Sequence, residues 1–222
     1  MRFEAITWQR MAERLAARLE TLAVHSGGSA PDPGASGWQR VGVDGAPAAD
    51  TGVPAAALAD ALRSRGRPAL VVPAAGFLRP ASLRFEFGRE DVDSYLGAWY
   101  DTGALWREVF GPTDPGGTGR VLPDLWDPVT DRATRSPYRE LAPGGVLIVH
   151  GPLLLGHWFP FDLSVHVQLS AGALARRTEE SERWTLPAFA RYEAETDPAS
   201  AADVLVRADD PRHPAWTGVR ER

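Results

Sequence analysis

Apolar residues near the start of the chain recur at intervals of three and four positions. They mark one face of a helix: Trp8, Met11, Leu15, Leu19 and Leu22. Thr7 precedes them with the hydroxyl side chain typical of an N-cap, so residues 1–24 are predicted to form an amphipathic helix. Gly, Pro and Ser dominate the stretch that follows, and residues 25–39 are predicted to be a flexible linker.

A strand–turn–helix–strand unit comes next. Arg40–Gly45 reads as a short strand that runs into a turn. Val53–Arg65 has the pattern of a helix, with Pro54 in its first turn, and Ala69–Val72 is the second strand. Such a unit is typical of the opening of a parallel α/β fold.

Helical and strand patterns continue to alternate through the rest of the chain. Val146–Val149 is apolar throughout, as in a strand buried on both faces. The other predicted elements are a helix over Asp91–Phe110, a turn-rich loop over Gly111–Gly119, a strand over Val165–Leu169, helices over Ala171–Glu180 and Pro187–Glu195, and a strand over Asp203–Val206. The order predicts an α/β fold in which residues 40–222 form one domain around a doubly wound parallel sheet.

Composition and charge restrict the class of function. The chain has 222 residues, 44% of them apolar, which is enough for one full core. Its formal charge of −5 argues against broad binding to nucleic acid or to an anionic membrane. Cysteine is absent, which excludes disulfides and thiol catalysis, and no signal core or 18-residue apolar run is present. A cytoplasmic location is therefore expected, and a homo-oligomer is left open.

Two further features of the ionisable residues bear on chemistry. Lys and Arg together number 24, and all are arginines, so the chain has no lysine. The abundance of Ala, Gly, Pro and Arg is typical of a GC-rich genome, which would thin out surface lysines but not one that catalysis required. The five histidines show no metal-ligand spacing, so no metal site is predicted.

The segment Gly45–Gly52 (GAPAADTG) lies between a predicted strand and a predicted helix. A phosphate-binding loop has Gly-x-x-x-x-Gly-Lys-Ser/Thr at this place, where backbone N–H groups, the lysine and the hydroxyl hold phosphate and Mg²⁺. Here Asp50, Thr51 and Gly52 occupy the three closing positions, and Gly45 opens the segment. The alternative interpretation is an ordinary strand–helix turn.

Five more segments follow in order: Gly76–Pro80 (GFLRP), Leu122–Asp127 (LPDLWD), Val146–Leu154 (VLIVHGPLL), Ala175–Arg177 (ARR) and Ala202–Val206 (ADVLV). In this order and spacing the chain resembles the uridine kinase family of P-loop proteins over roughly residues 40–214. The resemblance implies the P-loop nucleoside kinase fold with an extra N-terminal helix. It also implies ATP and Mg²⁺ as cofactors, and a nucleoside or another small phosphorylatable molecule as substrate. The missing phosphate-loop lysine counts against those cofactors.

The resemblance also implies roles for particular residues. Contacts to the nucleoside are expected from Phe77, Arg79, Glu90, Trp126 and Asp131. Ala75 and Gly76 stand where the family has the acids that take the proton from the ribose hydroxyl. The general base is therefore missing. Asp131 stands in place of a family histidine.

Cationic and acid–base groups complete the implied site. Arg176 and Arg177 match the arginine pair of the family's phosphate-covering lid, and Arg183 resembles a further lid arginine. Arginines can clamp a phosphate without lysine, although a solvated helix face is the alternative. His150 replaces an acid near the expected metal, at the carboxyl end of a central strand where open α/β sheets bind ligands. A purely structural histidine is the alternative.

Three hypotheses follow from these residues. The first is a uridine-kinase-like protein with weak or altered kinase activity. The second is a non-catalytic protein, a pseudoenzyme, that holds a partner through the cleft or through the apolar stripe of the N-terminal helix. The third is different chemistry in the same cleft, with His150 as acid or base and Asp44 or Asp127 beside it.

Overall fold

The computed structural model describes residues 2–26 and 37–219. Its helices are α1 (Trp8–Ser26), α2 (Gly52–Ser64), α3 (Ala81–Arg84), α4 (Val92–Gly97), α5 (Thr102–Leu105), α6 (Ala171–Arg177), α7 (Leu186–Thr196) and α8 (Pro198–Ala201). Its strands are β1 (Glu4–Ala5), β2 (Gln39–Asp44), β3 (Ala69–Pro73), β4 (Arg120–Val121), β5 (Trp126–Asp127), β6 (Arg132–Ala133), β7 (Arg139–Glu140), β8 (Val146–Gly151), β9 (Leu163–Gln168), β10 (Val204–Arg207) and β11 (Ala215–Trp216). Most of the predicted linker, residues 27–36, lies outside the described part of the chain.

Seven of the strands form one sheet in the order β1-β11-β10-β9-β2-β8-β3. The five strands from β10 to β3 are parallel, and β11 and β1 extend the β10 edge in antiparallel fashion. The chain runs from β2 out to β3, returns to β8, and then crosses to β9 and β10 on the other side. This topology confirms the predicted α/β class and the doubly wound parallel sheet.

The first four residues of β8, Val146–Val149, are all apolar because a layer of the protein covers each face of the sheet. Val146 and Ile148 join the core beneath α1 and α2, whereas Leu147 and Val149 join a second core on the opposite face. All four side chains are fully buried. The uninterrupted apolar run therefore meets apolar neighbours on both sides.

The neighbouring strands β2 and β9 are polar at alternate positions near their carboxyl ends. Val43 and Val165 belong to the core beneath α1 and α2. Successive side chains of a strand point to opposite faces, so Asp44 and His166 point to the other face, toward α7. Both are buried, with exposed fractions of 0% and 3%.

Helix α1 packs onto the sheet as part of the first core. Met11, Leu15 and Leu19 are at most 1% exposed and contact α2 and the central strands. The backbone N–H of Arg10 donates to Oγ1 of Thr7 at 3.2 Å, which confirms the predicted N-cap. The apolar stripe of α1 is covered by the protein's own core, so it is not free to hold a partner, which was one of the two routes in the second hypothesis.

The prediction of one continuous helix over Asp91–Phe110 is wrong. The structure divides it into α4, α5 and a π-helical turn at Trp106–Phe110. The break comes where Tyr100 forms an isolated β-bridge with Leu78, after which the carboxylate of Asp101 caps α5 by accepting from Ala104 N. Competing backbone and side-chain hydrogen bonds thus override the helical pattern.

Candidate functional site

The carboxyl ends of the parallel strands bring three polar side chains to one edge of the sheet. Asp44 ends β2, His150 lies at the end of β8, and His166 lies near the end of β9. This edge is where open α/β sheets bind ligands, between strands at which the direction of winding reverses. The predicted phosphate loop follows β2 at the same edge.

The loop keeps the backbone course of a strand–turn–helix connection. A 3-10 turn at Pro47–Ala49 leads to Asp50, whose backbone is left-handed with φ 51° and ψ 58°, and α2 begins at Gly52. A left-handed residue favours glycine, and Asp and Asn are the side chains that tolerate it best. Asp50 therefore adopts the backbone that a loop glycine would adopt, but it adds an exposed carboxylate.

Thr51 and His150 meet beneath this loop. Oγ1 of Thr51 lies 3.2 Å from Nδ1 of His150. Burial lowers the pKa of His150, and the nearby carboxylate of Asp50 opposes that effect. A Cβ on Gly52 would lie 3.4 Å from Cε1 of His150, an ordinary contact, so a small side chain fits at this position. Asp50, Thr51, Gly52 and His150 thus form one cluster.

Asp44 does not lie beside His150, and that part of the third hypothesis is wrong. In the register of β2 and β8, His150 is paired with Val43, and Asp44 is paired with Gly151. The two side chains are one residue out of register and point to opposite faces of the sheet. His150 faces α2, whereas Asp44 faces α7.

Asp44 instead belongs to a buried network. One oxygen, Oδ1, accepts from the backbone N–H of Leu154 at 2.8 Å, and Oδ2 lies 2.7 Å from Nδ1 of His166. The hydroxyl of Tyr192 accepts from the backbone N–H of Leu155 at 3.0 Å, and its pKa is raised chiefly by burial and also by the nearby Asp44 carboxylate. Nε2 of His166 lies 3.2 Å from Oε1 of Glu193 on α7. Both imidazole nitrogens therefore face carboxylates.

Sequence reasoning missed three members of this network: His166, Tyr192 and Glu193. The alternation Val165-His166-Val167 was the available signal, because it places a lone polar residue on the face opposite the first core. The pairing with Asp44 required the strand order, in which β2 and β9 are neighbours and Asp44 stands opposite His166. Tyr192 and Glu193 reach the network only through the packing of α7.

His166 should carry a positive charge at neutral pH. Burial lowers its pKa, but the hydrogen bonds and charges of Asp44 and Glu193 outweigh that effect and raise the pKa to about 9. The folded-state pKa lies above the ordinary value of 6.5, so this network stabilises the fold fully below about pH 6.5. The stabilisation is lost as the pH rises through about 9.

We expect the free energy of unfolding to fall by a few kcal/mol between pH 6.5 and pH 10, because each unit by which folding raises the pKa of His166 contributes about 1.4 kcal/mol. Lysine and cysteine, which titrate in this range, do not occur in the chain, so the change is readily assigned. Urea unfolding at a series of pH values measures it. A His166→Gln variant should flatten the profile, and an equally steep profile in that variant would contradict the assignment.

The predicted lid arginines lie on α6 and on the 3-10 turn that follows it. Arg177 lines a cavity of about 310 Å³ together with Pro47 and Ala48 of the loop, and its Nη1 donates to the carbonyl of Ala208. Arg176 is exposed. Arg183 forms an exposed ion pair with Glu180 at 2.6 Å. Of the three, Arg177 is the arginine that the structure brings to the loop.

Among the predicted nucleoside-binding residues, Trp126 and Asp131 contact each other, whereas Glu90 and Arg79 lie in separate segments. Nε1 of Trp126 donates to Oδ1 of Asp131 at 3.0 Å, and the same oxygen accepts from the backbone N–H of Ala81. Trp126 and Asp131 thus fasten the β5–β6 hairpin to α3. Glu90 is exposed in the loop before α4, and the carbonyl of Arg79 accepts from Arg84 Nε.

Two predicted site residues serve local structure. Phe77 is 0% exposed within the second core, so its ring is not available to a ligand. Asp127 accepts from Val129 N at 2.9 Å and from Thr130 Oγ1 at 2.7 Å, and the hydrogen bond from Thr130 contributes most to lowering its pKa. In the described residues it makes no hydrogen bond or ion pair with His150. Its acid–base role beside His150 is therefore corrected to that of a turn-forming residue.

Gly76, where the resemblance implied an acid, is closely packed against the segment that contains Asp124. A Cβ on Gly76 would come within 2.7 Å of Cβ of Asp124, and Leu125 N donates to the carbonyl of Gly76. The carboxylate of Asp124 accepts from Ser136 Oγ at 2.7 Å. A larger residue at position 76 would therefore collide with the segment that now lies against it.

Residues 2–26 and 37–219 contain no cluster of three or more His, Asp or Glu side chains arranged to hold a metal ion. None of the helices in these ranges has both the length and the apolar character needed to cross a bilayer.

Comparison with known proteins gives the fold. No family model matches the chain, and no curated protein matches its sequence. Among solved structures, a possible uridine kinase from Bacillus stearothermophilus has a TM-score of 0.63 and 19% identity, over 86% of this chain and 98% of the other. A candidate fructose transport system kinase from Silicibacter sp. TM1040 has a TM-score of 0.58 and 23% identity, over 89% and 95%. D-glycerate 3-kinase from Cryptococcus neoformans has a TM-score of 0.51 and 14% identity, over 85% and 80%. The chain has the fold of uridine-kinase-like and related P-loop kinases.

Proposed function

We propose that this chain is a uridine-kinase-like P-loop protein that binds a nucleoside or another small hydroxyl-bearing molecule, with weak or altered phosphotransfer. The observation that carries the proposal is the phosphate loop. Its backbone course between β2 and α2 is kept, with Asp50 in a left-handed conformation, while the lysine and the metal-binding hydroxyl are replaced. Nucleoside binding and phosphotransfer in this protein are inferred from its fold and from these residues.

The residues of the loop do not fit Mg-ATP held in the ordinary way. Asp50 adds negative charge where phosphate oxygens would lie, and Gly52 has no hydroxyl for Mg²⁺. Thr51 stands at the lysine position, and its hydroxyl is engaged with His150. Around the adjoining cavity, Arg177 is accompanied by Glu179 and Glu182, whose charges oppose phosphate binding.

The chemical consequence is a large loss of rate. General acid–base catalysis contributes about 10²–10⁴-fold, and one preorganised electrostatic contact contributes roughly 10²–10³-fold. The loop lysine and the carboxylate base are both missing, and effects of residues that act together are not additive. Turnover far below the ordinary kinase range is the direct expectation.

We expect no turnover near the ordinary kinase range of about 1–100 s⁻¹ when nucleosides and Mg-ATP are supplied. A coupled ADP-release assay with a nucleoside panel measures this, and thermal unfolding with each nucleoside alone measures binding. A nucleoside at 100 times its dissociation constant should stabilise the fold by about 2.7 kcal/mol. Turnover within the ordinary range would overturn the impaired chemistry, and the absence of any nucleoside shift would overturn nucleoside binding.

Restoring the loop should restore affinity for ATP. The variant Asp50→Gly, Thr51→Lys, Gly52→Ser supplies the missing glycine, cation and hydroxyl, and a Cβ at position 52 fits the space beside His150. We expect it to bind Mg-ATP about tenfold or more tightly than a matched variant with Thr51→Met, because a charged hydrogen bond contributes about 1.5–3 kcal/mol. Calorimetric titration compares the two variants. Equal affinities would mean that the loop no longer approaches a triphosphate.

A further inference from the structure

A second cavity lies on the face of the sheet opposite the Thr51–His150 cluster. It has a volume of about 500 Å³ and is enclosed by the end of β9 and by α6 and α7. Leu169, Leu174, Leu186 and Phe189 give it an apolar wall, and Glu193 lies in the same lining. This volume suits a small organic molecule rather than a few waters.

The charges at its polar end sum to one negative charge. Glu193 in the lining and Asp44, which is buried behind the lining, each carry a negative charge, and His166 between them carries one positive charge. Hydrogen bonds from His166 and Gln168 lower the pKa of Glu193, so its carboxylate is ionised at neutral pH. The other two charged side chains of the lining, Arg207 and Asp209, are of opposite sign and cancel. The cavity therefore favours a positively charged ligand.

Glu193 is the group that can receive such a ligand. Its two oxygens accept from His166 Nε2 and Gln168 Nε2, both at 3.2 Å, which is longer than the usual 2.7–2.9 Å or so of charge-assisted hydrogen bonds. Its side chain is 41% exposed, so lone pairs remain accessible. Two aromatic residues of α7, Phe189 and Tyr192, line the same cavity. Aromatic faces beside a carboxylate are a common setting for an ammonium group.

We propose that this cavity binds an organic ammonium ion, with its ammonium group donating to Glu193 and its aryl or alkyl body against the apolar wall. Asp44 and His166 position Glu193 from behind. Both nitrogens of His166 already face carboxylates, so an anionic ligand would find no free donor there and would have to displace Glu193. The cavity adjoins the phosphate loop at Ala46, but its lining does not include Asp50, Thr51 or His150.

The test uses 2-phenylethylamine with the full-length chain at pH 7, titrated by calorimetry without nucleotide. Its neutral analogue 2-phenylethanol and the acid 3-phenylpropionate are the comparison probes. We expect the amine to bind at least about tenfold more tightly than the alcohol and the acid to bind more weakly than both. Binding of the acid as tightly as the amine would overturn the proposal, and so would no binding of the amine.

Variants localise the binding. Glu193→Gln should reduce amine affinity to that of the alcohol, whereas Glu195→Gln, on the same helix and paired with Arg191, should leave it unchanged. Ala190→Phe should block all three probes, because Ala190 lines the cavity and is itself exposed, so the added ring can fill the space without disturbing a core. Unchanged amine affinity in both Glu193→Gln and Ala190→Phe would place the amine elsewhere and overturn the assignment. Thermal unfolding of each variant verifies that it is folded.

Discussion

Replacing Asp44 with alanine is expected to lower the free energy of unfolding by about 3–5 kcal/mol at pH 7. The substitution removes the acceptor of two hydrogen bonds inside the protein, from Leu154 and His166. It also leaves the buried imidazolium with only the longer contact to Glu193. A buried donor without a partner loses its solvation as well as its bond, so the effect exceeds that of an average hydrogen bond. Urea unfolding followed by circular dichroism measures it.

The control for this prediction is Asp60→Ala, because the Asp60 side chain is 77% exposed and pairs only with Arg63. That variant should change the free energy of unfolding by less than about 0.5 kcal/mol. A double-mutant cycle of Asp44→Ala with His166→Ala should give a coupling free energy on the order of 2 kcal/mol. Independent, additive effects of the two substitutions would show that the Asp44–His166 contact contributes little to the fold.

The second large effect is expected from Leu15→Ala in α1, with a loss of about 2–5 kcal/mol of unfolding free energy. Leu15 is 1% exposed and packs in the core shared by α1, α2 and the sheet. Removing its three outer carbons leaves a cavity that the surrounding side chains fill only in part. Glu13→Ala, at an exposed position of the same helix, should stay within about 0.5 kcal/mol of the unsubstituted chain.

This experiment also separates two views of the N-terminal helix. If α1 were a detachable partner-binding element, Leu15→Ala would leave the stability of the chain unchanged and would weaken only the capture of a partner. The packing of Met11, Leu15 and Leu19 instead predicts that deletion of residues 1–36 abolishes the cooperative unfolding transition. A deletion variant that unfolds with the original midpoint would contradict the packing described here.

The sequence was most informative where one local pattern determines one structure. The Thr7 cap and its apolar stripe, the turn after β2 and the uninterrupted run of β8 lie where they were predicted. These elements are strongly periodic, and each buries the face that its own pattern marks as apolar. The helix over Asp91–Phe110 failed because its pattern competes with the bridge between Leu78 and Tyr100, which lie 22 residues apart.

The candidate site was predictable only as far as it is contiguous in the chain. The grouping of Asp50, Thr51 and Gly52 follows from one short segment, whereas the contact of Thr51 with His150 required the adjacency of β2 and β8. Predicting the partner of Asp44 would have required the order and register of the strands. In that register Asp44 stands opposite His166 on β9, whereas on β8 it is one residue away from His150. Phe77 matched a motif, yet its ring is buried, because a motif specifies a residue type and not the direction of its side chain.

The pairing of the first strand with the last has a consequence for how the chain folds during its synthesis. β1, near the beginning of the chain, has its ladder partner in β11, so Glu4 meets Trp216 across 212 positions of sequence. On the ribosome, α1 and β2 emerge long before β9, β10 and β11 exist to complete the layer beneath them. Until then α2 covers the apolar stripe of α1 only in part. We therefore expect the chain to reach its native packing only after the last strands have been made, and to be more prone to aggregation before then.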